Sequence, residues 1–171
     1  MPAGGVDKYS NILSEQLTLS AANTLSFSAI DVGLNLFDKI ALLVHKIQIL
    51  VTSGFVTEMV AVTDSATWGI VQSNSITTLS LSERACIDVI DYHLNVRGTA
   101  GDAELVAQPF ERDYSTLPGG GILIAPKPLY FAATSGGWTA ALNSTLRMYF
   151  TIHKLKDADY LELLESRRFF G

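Results

Sequence analysis

The sequence predicts an all-β antiparallel sandwich that ends in a short C-terminal helix, and three observations carry that prediction. The first is alternation near the end of the chain. Leu146, Met148, Phe150 and Ile152 interleave with Arg147, Tyr149, Thr151 and His153, the period of a strand with one buried face. A helix would mix the two sets. The second is spacing: about eight strand candidates follow one another at roughly ten to fifteen residues, with none of the intervening helices of a βαβ chain. The third is punctuation. Gly119 to Gly121 open the apolar run Ile122–Ala125, Pro126 and Pro128 interrupt it, and Leu129–Ala133 resume it before Ser135-Gly136-Gly137. Strands broken by proline belong at sheet edges or corners, where the missing N–H costs least.

In chain order, Met1–Ser14 is small, polar and glycine-containing and reads as a loose arm, 1–14, ahead of a sandwich domain over 15–155 and a helix and tail over 156–171. Glu15–Ser20 and Thr24–Val32 read as the first strands, and Asp31, Gly33 and Asn35 as a turn or bulge. Lys39–Ser53 is ambiguous, because Ile40, Leu43, Val44, Ile47, Leu50 and Val51 also satisfy helical spacing. A strand is preferred, since the second half alternates and is rich in β-branched residues. Its first half is apolar on both faces, as in a strand covered on both sides.

Glu58–Thr63 and Thr67–Gln72 form a candidate pair, Ser75–Leu81 follows, and Ala85–Arg97 changes phase near Asp91 as a bulged strand would. Gly98–Leu117 is a long polar stretch that is either functional or holds a short strand around Glu104–Gln108. Asp159-x-x-Glu162 resembles a capping box, Tyr160, Leu161 and Leu164 share one helix face, and Arg167 and Arg168 suit the helix C-terminus.

The composition is 48% hydrophobic and 17% charged, against a charged share of roughly 25% in ordinary soluble domains. Either the sandwich is well filled, or strands and loops are buried a second time against neighbouring subunits. The net charge of −5 shows no basic footprint for nucleic acid. The distribution is uneven: residues 147–171 sum to +1 and residues 1–146 to −6. Arg147, Lys154, Lys156, Arg167 and Arg168 are therefore the candidate nucleic-acid contacts, set against the plainer reading of a solvated strand-to-helix junction. Cys86 stands alone, which excludes an intrachain disulfide. No basic region followed by an apolar one marks a secretory signal, and no apolar run reaches the roughly 18 residues of a membrane span. Asn143-Ser144-Thr145 fits the glycosylation pattern, which matters only in a secretory compartment.

No catalytic motif is present, and no enzyme activity, cofactor or metal is expected. His45, His93 and His153 lie in separate predicted strands without HxH or HExxH spacing; three strands of one sheet could gather them as zinc ligands, but each reads as a locally paired strand residue. There is no GxSxG elbow. Pro118-Gly119-Gly120-Gly121 lacks the Gly-Lys-Ser/Thr of a phosphate loop and reads as a turn needing positive φ. Glu83, Asp88 and Asp91, or Glu111 and Asp113, offer carboxylates without an EF-hand pattern. Trp68, Trp138, Tyr130 and Tyr149 are either a sugar-binding face or core and interface aromatics.

With the glycine-proline loop leading into ILIAPKPLYFAATSGGW and the last long strand STLRMYFTIHKL running into KDADYLELLESRR, the chain resembles the single jelly-roll capsid proteins of small icosahedral viruses. The resemblance spans Glu15–Arg168 as architecture and implies eight strands in two facing sheets. It also implies a virion structural protein that self-assembles with copies of itself, and with other capsid proteins, into a closed shell. Many such proteins begin with an arginine-rich arm that neutralises phosphate, whereas residues 1–14 carry only Lys8 against Asp7. Either nucleic acid is contacted weakly through other residues or proteins, or the shell does not depend on binding it directly. The alternative from another class is a lectin-like carbohydrate-binding sandwich using the aromatics and the 98–117 stretch.

Overall fold

The computed structural model describes residues 10–33, 39–51, 64–93, 109–125 and 127–169, with side chains through residue 163. Among the described residues nine strands and a helix follow in order: β1 (Asn11–Thr18), β2 (Ser26–Ala29), β3 (Ile40–Val51), β4 (Ser65–Val71), β5 (Cys86–His93), β6 (Phe110–Asp113), β7 (Ile122–Ile124), β8 (Tyr130–Gly136), β9 (Asn143–Lys154) and α1 (Asp157–Phe169). The predicted strands at Glu58–Thr63 and Glu104–Gln108 lie outside the described residues.

The strands form two antiparallel sheets. The first has the order β1-β9-β3-β6, with β7 also on β3, and the second the order β2-β8-β4-β5. β7 pairs with Leu42–Val44 and β6 with Lys46–Ile49, consecutive stretches of β3. β9 pairs along β3 from Ile40 to Val51. β6 and β7 are therefore two halves of one edge strand, interrupted by residues 114–121. Counted so, each sheet has four strands, and the chain crosses between sheets at every connection except β4 to β5. That is the eight-stranded jelly roll, which splits one antiparallel barrel into two facing layers.

Alternation fills the space between the layers. Leu146, Met148 and Phe150 of β9 and Leu42, Val44, Ile47 and Ile49 of β3 face Ala66, Trp68 and Ile70 of β4 and Phe131 and Ala133 of β8, all in one buried cluster. The helical spacing of 39–53 has a structural cause. The β3–β9 register shifts between Val44 and Lys46, so His45 and Lys46 both turn outward and the inward set steps by three, from Val44 to Ile47. One inserted residue converts period 2 into an apparent i, i+3.

Several expected boundaries move. β1 begins at Asn11 and not at Glu15, because Asn11–Ser14 pair with Arg147–Phe150. Ser75–Leu81 is a loop and not a strand. Its Ile76 and Leu79 join Val71, Val89 and Ala132 in a second apolar cluster, which covers the outer face of the second sheet. Gly69 of β4 makes room for it: a Cβ there would lie 2.8 Å from Leu79 Cδ1. The irregularity in β5 falls at Ile87, since Ile70 pairs with Asp88 and Val71 with Cys86, and not at Asp91. The short strand of the 98–117 stretch that the structure describes is β6, at Phe110–Asp113.

α1 begins at Asp157, two residues before the expected capping box, with the Lys156 carbonyl accepting from Tyr160 N–H at 2.9 Å. Asp159 thus sits in the first turn, where its charge suits the helix N-terminus. Lys39 ties this start to the head of β3: its Nζ meets Asp157 at 2.7 Å and its carbonyl accepts from Leu155 N–H at 2.8 Å.

Candidate assembly surfaces and polar sites

Connections leave the sandwich at two ends. The β1–β2, β3–β4, β5–β6 and β8–β9 connections emerge at one end, because Thr18 pairs with Asn143, Val51 with Ser144, and Ser65 with both His93 and Gly136. The ends of β2, β4 and β7, the starts of β5 and β8, and α1 lie toward the other.

At the first end two loops are stitched by one side chain. Asn23, at φ 58°, donates from Nδ2 to the Trp138 carbonyl at 2.9 Å, and its Oδ1 accepts from Trp138 N–H at 3.0 Å. Its own N–H donates to Ser135 Oγ at 3.0 Å. Asparagine tolerates the left-handed backbone and carries both a donor and an acceptor. Beside it Gly137, at φ 79°, has no space for a side chain, since a Cβ there would collide with the Asp64 carboxylate.

The open edge between β5 and β6 is closed by a polar latch. Tyr114, only 8% exposed, donates its hydroxyl to Asp88 of β5, and Arg112 Nε of β6 stands 3.9 Å from the same carboxylate. Burial first, and then the bond to Asp88, push the Tyr114 phenol above its ordinary range. It stays a neutral donor. Tyr114 N–H also donates to the His45 carbonyl at 2.7 Å, which pins the start of the 114–121 excursion to the β3 bulge.

The outer face of the first sheet is a polar network. Glu111 accepts from Lys46 at 2.7 Å and from Gln48 at 2.9 Å, and Tyr149 donates to Gln48 at 2.9 Å. Hydrogen bonding to Lys46 and Gln48 holds the Glu111 carboxyl below its usual range, and the Glu111 bond raises Lys46. On the same face His45 Nδ1 meets the Gly120 carbonyl at 2.8 Å, and His45 Nε2 meets Thr151 Oγ1 at 3.0 Å. Thr151 Oγ1 also lies 3.2 Å from His153 Nε2.

His93 is not with them. It stands on β5 in the other sheet, 2.8 Å from Asp91, so the three histidines do not gather as a three-imidazole site. Among the described residues no group of three or more His, Cys, Asp or Glu stands close enough to hold a metal. Neither Glu83, Asp88 and Asp91 nor Glu111 and Asp113 forms such a group.

Among the described side chains, Arg147 and Lys154 do not share one patch. Arg147 is exposed on the outer face of β9. Lys154 lies seven residues along the same strand, about 23 Å at the usual rise and on the opposite pleat. Lys156 is exposed in the turn before α1. Arg167 and Arg168 fall in the last turn of α1, and their side chains lie outside the described residues.

Of the two readings of the aromatics, the tryptophans take the core one. Trp68 is 0% and Trp138 4% exposed; both belong to the core cluster, and Trp68 stacks at 5.1 Å on Phe110. Tyr130 packs edge-on to Phe27 at 6.4 Å on the outer face of the second sheet. Among the described residues, the large apolar side chains that remain exposed are Ile12, Leu50, Leu81, Leu117 and Leu161. Sequence reasoning missed the Asn23 stitch and the Tyr114 latch, because both join segments far apart in the chain.

No protein-family model matches the sequence, and no curated protein matches it. Among solved structures the chain is similar to VP1 of Trichodysplasia spinulosa-associated polyomavirus, solved in complex with 3'-sialyllactose. The TM-score is 0.53 at 8% sequence identity, over 92% of this chain and 99% of that one. The shared property is the fold, an all-β jelly-roll sandwich.

Proposed function

We propose that this chain is a viral capsid subunit, a structural protein and not an enzyme, which self-assembles with further copies into a closed icosahedral shell of the virion. The observation that carries the reading is the strand order, β1-β9-β3-β6/β7 facing β2-β8-β4-β5, with the fold likeness to a polyomavirus capsid protein over nearly the whole of both chains. The low charge and the exposed leucines on segments between strands support burial against neighbours. Other capsid proteins are further partners. Arg147, Lys154, Lys156, Arg167 and Arg168 make at most a weak contact with nucleic acid. No described helix is long and apolar enough to cross a membrane.

Negative-stain microscopy of the purified chain tests the reading. Closed particles of uniform diameter are expected; a field of small, unassembled molecules across salt and pH would refute it.

A second reading is favoured by the neighbour's bound sugar: the loops at one end of the sandwich bind a sialylated glycan. With both tryptophans in the core, such a site rests on loop polar groups and not on an aromatic platform. Saturable binding of 3'-sialyllactose, lost on substitution within residues 19–25 or 137–142, is the expected result. Silence in that titration would remove this reading.

A further inference from the structure

We infer that His45 and His153, which meet on the outer face of the first sheet, form a site for a divalent transition-metal ion of the zinc class. His45 sits at the β3 bulge, and its Nδ1 is 2.8 Å from the Gly120 carbonyl. A carbonyl oxygen only accepts, so Nδ1 carries the hydrogen and Nε2 of the neutral ring presents a lone pair. Thr151 donates its hydroxyl hydrogen to that lone pair across 3.0 Å. Having given its one hydrogen, Thr151 Oγ1 accepts from His153 Nε2 at 3.2 Å. Two imidazole nitrogens from neighbouring strands therefore converge on the Thr151 hydroxyl.

The bond from His45 to Gly120 is the kind of outer contact that fixes a metal-ligating histidine, whose second ring nitrogen characteristically donates to a backbone carbonyl. An ion binds here once Thr151 turns its hydroxyl out from between the two rings, giving up both hydrogen bonds. His153 moves its ring hydrogen from Nε2 to Nδ1, and both Nε2 lone pairs then face the metal at about 2.0–2.1 Å. No proton is lost in that exchange of tautomer. The protein supplies two imidazoles and water completes the coordination, since no larger ligand group stands among the described residues. Imidazole selects zinc, copper or nickel over calcium and magnesium, which require oxygen ligands. The bound ion would clamp β3 to β9 beside the 114–121 excursion.

Calorimetric titration of the full chain with zinc chloride tests the inference. One site per chain is expected, weakening as the pH falls because protons compete for the imidazoles, and calcium chloride should give no saturable heat. His153→Ala should weaken zinc binding at least ten-fold, while His93→Ala should leave it unchanged. Absence of saturable zinc binding, or wild-type binding by His153→Ala, overturns the site. Should that variant fail to fold, the ring resonances of the wild-type chain decide: zinc must shift those of His45 and His153, and shifts confined to His93 refute the assignment.

Discussion

At the scale of single residues the structure separates packing from polar stitching. Leu146 is fully buried between the sheets, and an aspartate there would carry an unpaired charge into an apolar layer at a cost of several kcal/mol. Leu146→Asp is expected to abolish the cooperative thermal transition; a variant that melts like the wild type would contradict the placement of β9. Tyr114 poses a subtler case, because its ring fills space while its hydroxyl serves Asp88. Tyr114→Phe keeps the ring and leaves a half-buried carboxylate short of a donor, which should cost about 1–3 kcal/mol in urea unfolding. No loss would mean that water replaces the phenol. Neither the Tyr114 latch nor the Asn23 stitch is legible in the sequence: each joins residues that only strand order brings together, and tyrosine and asparagine in loops are unremarkable beforehand.

At the scale of elements, what was legible follows from how regular each strand is. β9 alternates without interruption and could be read directly. β3 is buried on both faces from Ile40 to Val44 and carries an extra residue at His45, and together these are why it also fitted a helix. Ile76 and Leu79 looked like strand residues because they are apolar, yet their role is to cover the outside of β4 and β8 as a loop. Gly69 therefore marks a close approach, and Leu79→Ala should destabilise the fold by about 2 kcal/mol or more, as for other buried leucines. A neutral result would show that the 72–85 connection does not pack on the sheet.

On the opposite sheet the Lys46–Glu111 pair gives a pH signature. Glu111 titrates below its ordinary range in the folded chain, so its contribution is complete above the unfolded glutamate pKa and is lost as pH falls through the depressed folded value. Lys46 is raised, so its contribution is complete below the unfolded lysine pKa and is lost only as pH rises through the folded value. The pair is thus intact across neutral pH. Glu111→Gln should flatten the acid limb of the stability profile without altering the fold, and an unchanged limb would show that the bridge contributes nothing in solution.

At the scale of the whole molecule, one apolar cluster fills the space between the two four-stranded layers and a second lies outside β4 and β8. What they leave is a set of exposed leucines on the turns and the helix, Leu81, Leu117 and Leu161, and an outer sheet face whose charges are largely paired. The capsid proposal assigns that surface to contacts between copies. The jelly-roll layout was legible from strand spacing, whereas the edges and loops that a neighbour would meet depend on the strand order itself. The most direct measurement is the mass of the purified chain in solution, by size-exclusion chromatography with light scattering. The capsid account predicts uniform particles of megadalton mass; a species that stays near the 18.5 kDa of one chain across salt and pH would contradict it.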